Sequence, residues 1–165
     1  MREEGLFVNG RTGENRMDTL HFEVVNRENR KEIEELSVSA EQTDFIESVK
    51  ECLKEAEELR LWRPVGIYDG NTLIGFAMYG YFPKPIPGQV WLDRLLIDKK
   101  YQGRGYGKQS VLALLNRLRT EYQCDVVYLS VYETNLHAIH LYQQIGFQFN
   151  GEHDIHGERI MTYSF

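Results

Sequence analysis

Two cysteines, four prolines and no apolar run approaching the roughly 18 to 20 residues of a bilayer crossing set the first limits on this 165-residue chain. Cys52 and Cys124 stand far apart, without the paired spacing of a metal or redox site, so they read as reduced thiols of a cytosolic protein. Positive charge is also scarce. Nineteen Lys and Arg against 25 Asp and Glu give a net charge of −6, which argues against a nucleic-acid partner, since such proteins carry a basic face or stripe. Ahead of residue 19 the one apolar run is Leu6-Phe7-Val8, too short for a signal peptide. Residues 1–18 are therefore expected to be a disordered extension, residues 19–165 a single domain, and the protein cytoplasmic without a membrane partner. Three of the four prolines crowd into Phe82–Gly88, which excludes a central strand there. That stretch reads as a stiff, exposed loop, either a simple connector or one wall of a substrate site.

What is present is enough for one core: 42% hydrophobic and 12% aromatic residues. Thr19–Val25 reads as a strand and Asn29–Leu36 as a short helix. Ile46, Val49, Leu53, Ala56 and Leu59 mark one face of a second helix, with Asp44 and Glu47 in the pattern of a capping box. Pro64–Tyr68 and Thr72–Tyr81 flank Asp69-Gly70-Asn71 as a hairpin. A buried strand over Val90–Ile97, a helix beginning near Gly105, a strand over Val126–Val131 and a helix from Asn135 to Ile145 follow. The chain closes on a hairpin around Asp154–Gly157. The order β-α-α-β-β-β-α-β-α-β-β predicts an α/β fold, with a mixed, mostly antiparallel sheet flanked by helices.

The strand-to-helix turn from Ile97 to Lys108 holds Gly103, Gly105 and Gly107. Glycines there let backbone N–H groups at a helix start approach an anion closely. The dinucleotide pattern G-x-G-x-x-G fails because Lys108 takes its last place, and the nucleotide P-loop fails because Gln109 follows Lys108. Gln102-x-x-Gly105-x-Gly107 instead resembles the acetyl-CoA pyrophosphate loop of the GNAT N-acetyltransferases. A second segment carries the same resemblance: Asn135, Ala138, Leu141, Tyr142, Gly146 and Phe147 match its Asn-x-x-Ala-x-x-Leu-Tyr-x-x-x-Gly-Phe pattern.

The resemblance implies a GNAT fold and acetyl-CoA as cosubstrate, with no metal. It implies that Leu95, Leu96 and Ile97 pair through their backbone with the pantetheine arm. Gln102, Gly103, Arg104, Gly105, Tyr106, Gly107 and Lys108 would cradle the pyrophosphate, with Lys99 or Lys100 adding charge. Asn135 reads as a helix N-cap, to which the family adds a contact to the CoA arm. Tyr142 alone reads as a packed aromatic; in the family it is the general acid that protonates the departing thiolate.

Asp93 and Arg94 interrupt an otherwise apolar strand. They form either a structural ion pair, although neighbours on a strand point to opposite faces, or part of the chemistry. An amine with a pKa near 10.4 must lose a proton before it attacks, and Asp93 could take that proton or anchor the cation. The pattern around Trp91-Leu92-Asp93, with Gly75-Phe76-Ala77-Met78-Tyr79-Gly80 and Gly146–Glu152, resembles bacterial spermine/spermidine acetyltransferases. The implied reaction is direct acetylation of a small polyamine in a ternary complex, Cys124 not being a nucleophile. Rival readings are a GNAT acting on a protein N-terminus or an antibiotic amine, and a non-catalytic acyl-CoA or polyamine sensor. By analogy a homodimer is possible. His137-x-x-His140 and His153-x-x-His156 lack the further ligands of a metal site.

Overall fold

The computed structural model describes residues 19–165, so the expected extension over 1–18 lies outside the described residues. Seven strands form one sheet: β1 (Leu20–Val24), β2 (Trp62–Asp69), β3 (Thr72–Phe82), β4 (Gln89–Ile97), β5 (Val126–Val131), β6 (Gln148–His153) and β7 (Arg159–Ser164). Their spatial order is β1-β2-β3-β4-β5-β7-β6. β4 and β5 are parallel and the other neighbours antiparallel. The helices are α1 (Arg30–Glu34), α2 (Val49–Glu58), α3 (Tyr106–Tyr122) and α4 (Leu136–Ile145), with a short 3-10 turn at Ala40–Gln42. This is the expected element order. No helix among the described residues is long and apolar enough to cross a membrane.

The sheet divides two cores. On one side Val111, Leu114, Leu115 and Leu118 of α3 pack on Val65, Val90, Val127 and Met161. On the other, Ile33 of α1 and Val49, Leu53 and Ala56 of α2 cover Phe76, Met78 and Leu96. β3 is buried on both faces, which explains why its run from Leu73 to Tyr79 is apolar throughout instead of alternating. Full burial of a leucine such as Leu114 or Leu118 contributes about 1.5–3 kcal/mol.

One expectation is corrected and one open choice is resolved. The capping box belongs to Ser48 and Glu51, not to Asp44 and Glu47. The Ser48 Oγ accepts from Glu51 N at 3.3 Å, and Glu51 accepts from Ser48 N at 2.9 Å. The helix thus starts one turn later and leaves Phe45, Ile46 and Glu47 as a loop. The proline-rich stretch is a connector: it turns β3 into β4, with Ile86 exposed.

Candidate active site

Among the described residues, pairing between β4 and β5 is confined to Val90–Val127 and Trp91–Tyr128. Beyond Trp91 the two strands part. At the same place β4 carries a bulge: Leu92 faces Tyr79 and Arg94 faces Met78, so Asp93 is the extra residue. The bulge defeats strict alternation, and Asp93 and Arg94 serve one cavity as neighbours instead of pointing apart.

The gap between the parted strands opens into a cavity of about 570 Å3. Leu95, Leu96 and Ile97 form its β4 wall, Gln102, Gly103, Tyr106 and Gly107 its α3 end, and Asn135 and Tyr142 its α4 wall. Residues from Ser39 to Ile46 close the remaining side. Gly103 (φ +74°) and Gly105 (φ +82°) hold left-handed conformations that suit glycine, and a Cβ built at Gly103 would meet nothing within 4 Å. Gln109 N donates the first bond of α3 to Gly105 O at 3.2 Å, so the N–H groups of the turn before it point out of the positive end of the helix.

Individual predicted residues fall differently. Of the expected cradle, Arg104, Gly105 and Lys108 are exposed and lie outside the cavity lining; Arg104 stacks over the Tyr101 ring at 5.7 Å. The Gln102 amide donates to Ile97 O at 2.9 Å and to Gln42 Oε1 at 2.8 Å. Its side chain therefore ties the loop before α2 to the end of β4, and the Ile97 carbonyl is already engaged. Tyr106 is buried, and its hydroxyl donates to Asp69. Lys99 and Lys100 are exposed, their backbone N–H groups bonded to Ser37 O and to the buried Asp98 carboxylate. Asn135 caps α4, its Oδ1 accepting from Ala138 N at 3.3 Å. The proline-rich loop lines neither this cavity nor the next.

A smaller cavity of about 120 Å3 adjoins the first and shares Phe45, Leu95, Asn135 and Tyr142 with it. Asp93, Glu47 and Glu158 bring carboxylates to its wall, and Arg94 brings a guanidinium. Arg94 Nη1 donates to Asp93 Oδ2 at 2.6 Å, and Nη2 donates to Glu47 Oε2 at 3.0 Å with Glu55 at 3.7 Å. Burial pushes the Asp93 carboxyl up to about 6; Arg94 pulls it down, while Glu55, Glu47 and Glu158 add to the rise. Burial likewise pushes the Tyr142 hydroxyl up to about 12. Its ring meets Phe147 edge-on at 5.5 Å, and it stands at the junction of the two cavities. Cys52 and Cys124 are free thiols, both pushed up by burial, Cys52 to about 11, which makes them poor nucleophiles. Among the described residues no group of three or more His, Cys, Asp and Glu side chains is placed to hold a metal ion. Glu158, Phe45 and Tyr132 of the smaller cavity were not singled out from sequence, and no local pattern marks them, while Glu47 was read only as part of a helix cap.

The geometry has counterparts. Residues 22–147 match the model of the Acetyltransferase (GNAT) family. The spermine/spermidine N(1)-acetyltransferase of Bacillus subtilis (strain 168) is 48% identical over 148 residues, covering 87% of this chain and 97% of that one. Among solved structures, the spermidine N-acetyltransferase of Vibrio cholerae in complex with CoA and spermine aligns with a TM-score of 0.68 at 18% identity, covering 89% of this chain and 96% of the other. The aminoglycoside acetyltransferase AAC(6')-Ib in complex with coenzyme A aligns with a TM-score of 0.73 at 17% identity, covering 88% and 94%.

Proposed function

Because the chain belongs to the GNAT acetyltransferase family, we propose that it transfers the acetyl group of acetyl-CoA to a primary amine of spermidine, spermine or a related polyamine. The observation that carries the acceptor is the 48% identity, over nearly the whole of both chains, to a spermine/spermidine acetyltransferase. The smaller cavity supports it. Three carboxylates around about 120 Å3 suit a slender cation better than an aminoglycoside or a folded polypeptide end.

The larger cavity fits the cosubstrate: an open glycine turn at a positive helix end suits pyrophosphate, and the parted edge of β4 suits an extended amide-bearing arm. When bound, acetyl-CoA supplies an acyl group already activated as a thioester. In this reading the backbone of Leu95 and Leu96 orients that arm, and the amides of Gly103 to Gly107 hold the phosphates. The Gln102 side chain acts one step back, by fixing the end of β4.

Asp93 takes the proton that the ammonium must lose, directly or through water. Raised to about 6, it is a stronger base than an ordinary carboxylate and still ionised at pH 7. Nitrogen attack then forms the C–N bond as the C–S bond breaks. Tyr142, kept protonated by its burial, presents its O–H to the departing sulfur. A tyrosine at about 12 lies more than 3 pKa units above a thiol at about 8.5, or roughly 5 kcal/mol uphill for full transfer. Its main contribution is therefore a hydrogen bond to the developing thiolate, with the proton lost by nitrogen replacing any that it gives.

The test is thiol release from acetyl-CoA with a panel of spermine, spermidine, short diamines, an aminoglycoside and a peptide N-terminus. Release with the polyamines at the highest kcat/KM is the expected result. Release only with the peptide or the aminoglycoside, or with none, would overturn the assignment.

A further inference from the structure

The smaller cavity gathers carboxylates from three parts of the chain: Glu47 ahead of α2, Asp93 on β4 and Glu158 ahead of β7. Arg94 is the one basic side chain among its described lining residues. Its side chain is 25% exposed, and its contacts are directed. Nη1 reaches both Asp93 Oδ2 (2.6 Å) and the Asp93 carbonyl (3.1 Å), and Nη2 reaches Glu47 Oε2 (3.0 Å). The bulge makes this possible, because it delivers the base and the guanidinium side by side. An arginine needed only to brace α2 would have no reason to bind the carboxylate assigned to proton removal.

A cavity built solely to attract cations works against its own chemistry. Uncompensated carboxylates stabilise the ammonium, which has no lone pair with which to attack. A guanidinium is permanently charged and opposes protonation of a neighbouring nitrogen. We propose that Arg94 is a resident cation of the acceptor cavity: it fills the anionic seat between Asp93 and Glu47, so the reacting nitrogen is held there in its neutral form while the other charges of the substrate are left to Glu158.

The remaining groups facing this seat fit the assignment. Glu55 and the Cys52 thiol approach from α2, Tyr132 from the end of β5 and Tyr142 from α4. Burial holds the Cys52 and Tyr142 protons on, and the negative charge of Glu158 does the same for Tyr132. At neutral pH the charge balance is therefore set by the carboxylates and Arg94 alone. Glu158 accepts from Ser130 Oγ at 3.0 Å and makes no ion pair with Arg94. It remains available to a second ammonium. Arg94 is thus a positioning residue, acting on substrate protonation through charge.

This inference rests on the polyamine reading, and the experiment separates the two. The kcat and KM of spermidine acetylation are measured from pH 5.5 to 9.5 for the wild-type protein and for the Arg94→Gln, Arg94→Lys and Glu47→Gln variants. In Arg94→Gln the acidic limb of the kcat profile should move up by about one pH unit, as removal of a neighbouring cation does. With the base at about 6 in the wild type, that shift lowers kcat about twofold at pH 7 and about eightfold at pH 5.5, and the KM at pH 8.5 should fall as well, because the cavity is more anionic. Arg94→Lys, which keeps the charge, should bring the limb back. Glu47→Gln changes an exposed side chain, folds regardless of the fate of the other variants, and should move the limb down. Loss of kcat with a risen KM and an unmoved limb in Arg94→Gln would overturn the role of Arg94. So would a limb that stays in place in Glu47→Gln. A wild-type protein inactive with every polyamine would overturn the function reading, and this one with it.

Discussion

Replacing Asp93 with asparagine should stabilise the protein at neutral pH while removing most of its turnover. The Asp93 side chain is only 17% exposed, and burial pushes its carboxyl up to about 6 despite Arg94. In the unfolded chain an aspartate titrates near 3.9. Between these values the folded protein keeps a proton that the unfolded chain has released. The stabilising contribution of the group is therefore complete below about pH 4, lost as the pH rises through about 6, and absent above. Two pKa units amount to about 3 kcal/mol, the cost of the ionised carboxylate at pH 8, and to about 1 kcal/mol at pH 4.5 where ionisation has barely begun. Asparagine does not ionise and still offers an oxygen to Arg94 Nη1, so it avoids that cost without dismantling the ion pair to Glu47. The stability advantage of the variant should thus widen by about 2 kcal/mol between pH 4.5 and 8, or about 4–8 °C in Tm for a chain of this size. Thermal denaturation followed by circular dichroism, at constant ionic strength across that range, measures it. A Tm difference flat with pH, or larger at pH 4.5 than at pH 8, would refute the claim that the site holds a carboxylate against its own burial. Turnover measured beside it should fall roughly 100-fold at pH 7.

Tyr142→Phe keeps the ring against Phe147 and should lower kcat by roughly 10- to 100-fold with the Kd for CoA unchanged by calorimetry; an unaltered kcat would leave the residue a packing aromatic. Gly105→Ala forces a side chain onto φ +82°, costing about 1–2 kcal/mol, and should weaken CoA binding several-fold. Gly151→Ala, at φ +88° in β6, supplies the comparison: a similar loss of Tm without loss of affinity. Gln102→Ala frees both the Ile97 carbonyl and Gln42, and should raise the KM of acetyl-CoA and of the amine together, by about two- to fivefold for bonds each worth about 1 kcal/mol. A rise confined to the amine would mean that the link to β4 does not serve the cofactor side.

The element order was legible because each element carries its own period. Val111, Leu114, Leu115 and Leu118 repeat at helical spacing and all are buried. Asp69-Gly70-Asn71 marks a turn, and Gly70 adopts φ +58° in it. The start of α2 was not legible, since two overlapping segments satisfy the same rule. Asp44-x-x-Glu47 and Ser48-x-x-Glu51 are both capping-box patterns. What selects the second is tertiary: Phe45 and Ile46 face the two cavities and Glu47 is claimed by Arg94.

The same distinction separates the two halves of the site. The glycine loop could be singled out from sequence because the role proposed for it falls to the backbone, and glycine order is written in the chain. The smaller cavity, proposed for the acceptor, is made of side chains from separated elements, and the feature that brings Asp93 and Arg94 into it together is a bulge with no local signature. Leu92-Asp93-Arg94 reads as ordinary strand with an awkward charged pair, and alternation then sends the two charges to opposite faces. Inserting Asp93 as the unpaired residue reverses the phase of everything after it. Leu92 faces the α3 core, and after the bulge Leu95 and Ile97 pack there, while Leu96 joins the α2 core. The bulge lies two residues past Trp91, the last β4 residue paired to β5. One inserted residue thus lies where the β4–β5 pairing ends and turns both Asp93 and Arg94 into the smaller cavity, the place where the proposed mechanism has the amine lose its proton. A deletion of Asp93 that restored regular β3–β4 pairing should send Arg94 to the other face of the strand and take both charges of β4 out of the smaller cavity, whatever glycines remained in the loop.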